Sequence, residues 1–149
     1  MSQNRDGRCH TGMNLRLQQV SATVLTLSAA YVGVWALLAP GSFYDDFPLP
    51  GRDWVSLAGP YNEHLVRDVG GLYLALGVVT LWAALRPRTD LLAVVAVAWE
   101  VFSVPHLLFH AGHLDGLETF DKIAQTGSLG ATVLLAALLI VPARAREAS

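Results

Sequence analysis

Two stretches of this 149-residue chain, Leu17 to Ala39 and Ile123 to Val141, carry no charge over a length that matches a membrane. A bilayer core of about 30 Å needs about 20 mostly apolar residues in helical form, because lipid offers no partner for an unpaired backbone amide. Two further apolar runs lie between them, Val69 to Leu85 and Leu91 to about His113, separated by the turn "RPRTD". The earlier of these reaches spanning length only if its helix begins near Glu63. The expected fold is therefore all-α, a polytopic membrane four-helix bundle forming one domain over residues 1–149. Its spans are placed at about 17–39, 63–85, 91–113 and 122–142, with tails at 1–16 and 143–149. Composition agrees: 53% of residues are hydrophobic and 15% charged, against about 25% charged in ordinary soluble domains.

Arg5, Arg8 and Arg16 precede the first apolar run, which is how a signal peptide begins. The run is too long for a typical signal core, and "LLAPGSFY" at its end offers no clear small-x-small cleavage site, so it reads as an uncleaved first span. Basic residues set the orientation. With a cytoplasmic N-terminus, that side receives Arg5, Arg8, Arg16, Arg86, Arg88, Arg144 and Arg146. The other side receives Arg52 and Lys122, with Arg67 near the start of span two. Both termini are thus expected in the cytoplasm of a cell whose inner membrane holds the chain. The net charge of -2 and the absence of a basic run exclude a nucleic-acid partner, leaving the lipid bilayer, another membrane subunit or a second copy of the chain. Cys9 is the only cysteine, so neither an intrachain disulfide nor a cysteine metal site can form.

The one long connection, residues 40–62, holds Pro40, Pro48, Pro50 and Pro60, which exclude a continuous helix. Phe43, Tyr44, Phe47, Trp54 and Tyr61 suit the membrane–water boundary. The segment is an extracytoplasmic flap, and either a passive cover or a lid over a binding site.

Polar residues concentrate at the flap end of every span. Span two enters with Asn62, Glu63, His64, Arg67 and Asp68; span three leaves with His106, His110 and His113; span four begins with Asp121, Lys122 and Gln125. At 100° per residue the three histidines fall within about 60° of one another, on one helix face. Glu100 lies roughly 9 Å deeper and off that stripe, and Pro105 between them can kink the helix. Glu63 and Arg67, like His64 and Asp68, are spaced to pair along a helix. Ionisable groups inside a span face the bundle interior and find partners. Glu100 is then either a structural carboxylate or a metal ligand or proton-transfer group. His106, His110 and His113, facing His64, Glu63 and Asp68, could hold zinc, iron, copper or nickel, or supply axial ligands to haem. Arg67, with Asn62 beside it, is either the counter-ion of Glu63 or a holder of an anionic ligand. Gly70, Gly71, Gly77, Gly127 and Gly130 are expected to let helices approach closely.

The stretch "RDVGGLYLALGVVTLWAAL", Arg67 to Leu85, resembles the second span of the small DoxX-like four-helix membrane proteins. That resemblance implies a bacterial inner-membrane protein, often of unassigned activity, with redox or thiol-stress partners in some members. The histidine stripe is not part of that pattern. Three readings remain open: a metal- or haem-binding membrane protein with a redox or metal-handling role, a non-catalytic accessory or scaffold subunit, and a metal-dependent membrane enzyme with Glu63 or Glu100 as general base.

Overall fold

The computed structural model describes residues 12–140. The expected tail arginines Arg5, Arg8, Arg144 and Arg146, and Cys9, lie outside the described residues, as does the end of the expected fourth span. Five α-helices follow in order: α1 (Gly12–Leu38), α2 (Pro40–Asp46), α3 (Glu63–Leu85), α4 (Thr89–Ala111) and α5 (Thr119–Leu138), with one 3-10 turn at Ser56–Ala58. No strand occurs among the described residues.

Three helices are long and apolar enough to cross a membrane, over Leu15–Leu38, Glu63–Leu85 and Thr89–Ala111. The described part of α5 is not among them, because Asp121, Lys122 and Gln125 occupy its first two turns. The α3 helix does begin at Glu63, where the Asn62 side chain caps it by accepting the Leu65 N–H at 3.1 Å. The flap contains more helix than its prolines imply: Pro40 occupies the first turn of α2, where a missing N–H costs nothing.

The α4 helix runs unbroken through Pro105 but stops at Ala111, so His113 lies past the helix instead of completing its stripe. Gly112 there gives its N–H to the carbonyls of Leu108 and Phe109, and His113 Nδ1 lies 2.7 Å from Phe109 O. A glycine of low helix propensity and a ring that engages a terminal carbonyl together end the helix.

Helices α1 and α3 make the closest contact. A Cβ on Gly70 would lie 2.6 Å from Leu37 N and 3.0 Å from Gly33 O, and one on Gly33 would lie 2.8 Å from Leu74 Cγ. Gly77 packs likewise, 3.1 Å from Ala29 Cβ. Gly71, Gly127 and Gly130 do not serve as expected: nothing lies within 4 Å of the Cβ each lacks, since those positions face away from neighbouring helices.

The main core joins Leu25 and Ala29 of α1, Ala83 of α3, Val95 and Trp99 of α4, Ala136 of α5 and Leu139 just past it. Within it Trp99 Nε1 donates to Thr80 Oγ1 at 2.9 Å, and that hydroxyl donates to Leu76 O at 2.7 Å, so every polar atom of this inter-helix link is satisfied. The outer faces are apolar: Leu72 is 71% exposed and Val101 71%. Faces of this kind are stable against lipid and unfavourable against water.

Candidate ligand-binding cavity

The flap is held differently on its two sides. Toward α1 it is anchored by rings, with Phe43 and Phe47 centroids 4.7 Å apart and Trp35 and Phe43 6.0 Å apart, and Tyr31 Oη donates to Pro48 O. Toward α5 it is held by one carboxylate. Arg52 Nη1 donates to Asp121 Oδ2 at 2.7 Å and Trp54 Nε1 to Asp121 Oδ1 at 2.9 Å. Asp121 is only 6% exposed, and Arg52 lies 5.3 Å over the Phe120 ring. A buried carboxylate is stable only with such partners.

Beneath this cover lies a cavity of about 530 Å³, within the range of small-molecule sites. Leu65, Val69 and Tyr73 of α3, Trp99, Phe102 and His106 of α4, and Leu129 of α5 form its walls, with Phe47, Trp54 and Val55 of the flap above. The edge-on contact of Tyr73 with Phe102, centroids 5.1 Å apart, joins two of these walls. Seven serine, threonine, histidine and glutamine residues line the cavity. The hydroxyls of Ser28, Ser128 and Thr132 donate to carbonyls of their own helices, which leaves Ser103, His106, His110 and Gln125. The His106 ring stacks on Phe102 at 5.1 Å and meets His110 edge-on at 4.6 Å. Ser103 and Gln125 are 2% and 3% exposed, yet Ser103 Oγ and Gln125 Oε1 have no hydrogen-bond partner in the protein. Buried polar atoms are ordinarily paired; five side-chain atoms among the described residues are not, and of these Ser103 Oγ and Gln125 Oε1 belong to residues lining the cavity.

A second, smaller hollow of about 60 Å³ adjoins the cavity at the flap's edge. It is lined by Leu57, Phe109, His113 and Leu117, and shares Trp54, Ala58, His110 and Gln125 with the cavity.

The residues singled out from the sequence separate into two sets. His106 and His110 share the cavity; His113 reaches only the small hollow, its ring stacked 4.3 Å from Phe109. Glu63, His64, Arg67 and Asp68 form their two expected pairs, Arg67 Nε to Glu63 Oε1 at 2.8 Å and His64 Nδ1 to Asp68 Oδ2 at 3.1 Å. Those pairs are exposed, and none of the four residues lines the cavity. Arg67 also donates to Leu37 O, at the end of α1, which ties the two helices together. Asn62 is spent on its cap. Glu100 does not line the cavity either, and its buried Oε1 lacks a partner. Among the described residues no three histidine, cysteine, aspartate or glutamate side chains converge to hold a metal ion. Sequence reading placed Asp121 and Gln125 at this end without assigning them a role. The signal was present, a carboxylate and an amide four residues apart opening a helix otherwise almost free of charge. Ser103, small and lodged in an apolar run, gave no signal.

Residues 17–119 match the family model described as a domain of unknown function, DUF4345. No curated protein and no solved structure matches the chain.

Proposed function

Since the chain belongs to the DUF4345 family, for which no function is known, we propose from its own geometry that it is a multi-pass membrane protein binding a small, mostly apolar, ring-bearing molecule beneath the flap. The observation that carries this reading is the pair of buried, unpartnered atoms, Ser103 Oγ and Gln125 Oε1, on residues lining an aromatic cavity of about 530 Å³. Gln125 Oε1 accepts from a ligand N–H or O–H, and Ser103 Oγ either donates or accepts. The imidazoles of His106 and His110 add one further polar partner each, and Tyr73, Trp99 and Phe102 offer faces and edges for a flat ring. A protein of this kind needs no chemistry of its own; it binds, delivers or senses.

The chain crosses the membrane four times in this reading, the architecture that the DoxX-like resemblance also implies. The charge-free run from Ile123 to Val141 supports the fourth crossing. The arginine bias supports cytoplasmic termini and an extracytoplasmic flap, in an inner membrane. A transition metal or haem on His106 and His110 is the second reading, favoured by their 4.6 Å ring contact. It ranks below the first because a bare metal needs donors beyond two imidazoles, and two imidazoles in contact on one helix cannot take opposite faces of a haem.

The test is organic extraction and mass spectrometry of the full chain purified without a histidine tag, with elemental analysis of the same sample. A defined lipid-soluble molecule at near one equivalent, lost when Ser103→Phe fills the cavity, is the expected result. Bulk phospholipid in equal amount from both proteins would refute the reading. One equivalent of metal lost in the His106→Ala, His110→Ala double variant would favour the second.

A further inference from the structure

The flap segment from Leu49 to Pro60 is attached by unlike means at its two sides. Its start continues from the aromatic cluster of Phe43 and Phe47, which is apolar and packed against α1. Its middle is held to α5 by Arg52 and Trp54 on Asp121. Apolar packing has no substitute in water, whereas the partly exposed guanidinium and the indole N–H can exchange the carboxylate for water once an open flap lets water reach Asp121 as well. Gly51, at φ 83°, and Gly59, at φ 156°, bracket the segment in conformations that glycine adopts without strain. The fixed side and the exchangeable side therefore differ, as a hinged cover requires.

What such a cover would open is visible from the two hollows. Trp54 and Ala58 of the flap, with His110 and Gln125 of the bundle, line both the small edge hollow and the main cavity. The two hollows adjoin at these four residues. Two of the four move with the flap, and Trp54 is itself one of the two donors to Asp121. Releasing Asp121 would let Trp54 and Ala58 draw away from His110 and Gln125, widening the join between the cavity and the hollow beside the exposed His113.

Resting on the ligand-binding reading above, we propose that Leu49–Pro60 is a lid latched by Asp121, and that the cavity is reached from the aqueous side through it and not laterally from lipid. The latch couples access to the join between the two hollows: the bond that holds the lid shut is made by a residue that walls the cavity.

The test needs no knowledge of the ligand. In the full chain with Cys9→Ser, Ser103→Cys places a single thiol on the cavity wall. The protein, in lipid nanodiscs, is reacted with a charged methanethiosulfonate that cannot enter lipid and, separately, with uncharged N-ethylmaleimide. With the latch intact the charged reagent reacts slowly; Asp121→Asn is expected to raise its rate at least tenfold, and Arg52→Gln, which leaves the Trp54 bond, by less. Both variants are checked for an unchanged elution volume and melting transition, and Arg52→Gln carries the test if Asp121→Asn does not fold. An unaltered charged-reagent rate in a folded variant overturns the lid. Fast N-ethylmaleimide labelling with slow charged labelling throughout also overturns it, in favour of access from lipid, while leaving the ligand-binding reading intact. Failure of that reading would show instead in the extraction experiment, where no defined molecule would be found.

Discussion

Gly70 and Gly71 are neighbours in sequence with opposite surroundings, and exchanging each for alanine tests how the bundle is built. At Gly70 the added methyl would lie 2.6 Å from Leu37 N, 3.0 Å from Gly33 O and 3.1 Å from Ala36 C, all of them backbone atoms. That is about 0.8 Å short of an ordinary contact, and no side chain can rotate to relieve it, so α1 and α3 must separate. Overpacking of this sort costs about 1–3 kcal/mol, and a clash with main chain belongs at the upper end. Alanine returns about 1 kcal/mol through helix propensity, leaving Gly70→Ala destabilised by about 2 kcal/mol. Gly71→Ala meets nothing within 4 Å and keeps the propensity gain, so the two variants should differ by about 3 kcal/mol. Reversible unfolding of the full chain in mixed micelles, titrated with a denaturing detergent, measures both. If Gly70→Ala comes within about 0.5 kcal/mol of Gly71→Ala, a tenth or less of a typical protein's stability, the close approach of α1 and α3 is not what holds that face.

Trp99→Phe should lose about 1 kcal/mol in the same assay, since one hydrogen bond between membrane helices is worth about 0.6–1.7 kcal/mol and Thr80 keeps its bond to Leu76 O. Combining it with Thr80→Val should add less than the two losses summed, because both remove one interaction. Exhaustive chelation should leave the melting transition where it was. A resident metal at a hundred times its dissociation constant would contribute about 2.7 kcal/mol, so a clear drop on chelation would favour the metal reading.

The helices were readable because lipid imposes a length and penalises charge: the run before Leu85 was too short to span from Val69, and α3 begins at Glu63, as that shortfall required. Local pairs were readable for a similar reason, since Glu63 with Arg67 and His64 with Asp68 depend only on helical spacing. The site was half readable. His106 and His110 were found by their spacing on one helix, but His113 was placed on the same face because nothing in a period of 3.6 registers that Gly112 ends the helix. The carboxylates of α3 were assigned to the site by depth alone. Depth fixes how far along the bundle a group lies but not the direction it faces, and these groups face outward. Asp121 was least accessible to sequence reasoning: its two donors are 69 and 67 residues away, on a flap whose path no periodicity records.

The uneven packing of the bundle has a mechanical meaning. Helices α1 and α3 form one pair, locked by glycines along their length, and α4 and α5 a second that meets the first through the common core. Trp99 and Thr80 join the pairs below the cavity, and at the flap end a single carboxylate closes across them. The core and the Tyr73–Phe102 contact also bridge the pairs, so the close backbone approach of α1 and α3 is what sets that pair apart as a spine. A change that spreads the bundle would therefore separate α4 and α5 from that spine before it parted α1 from α3.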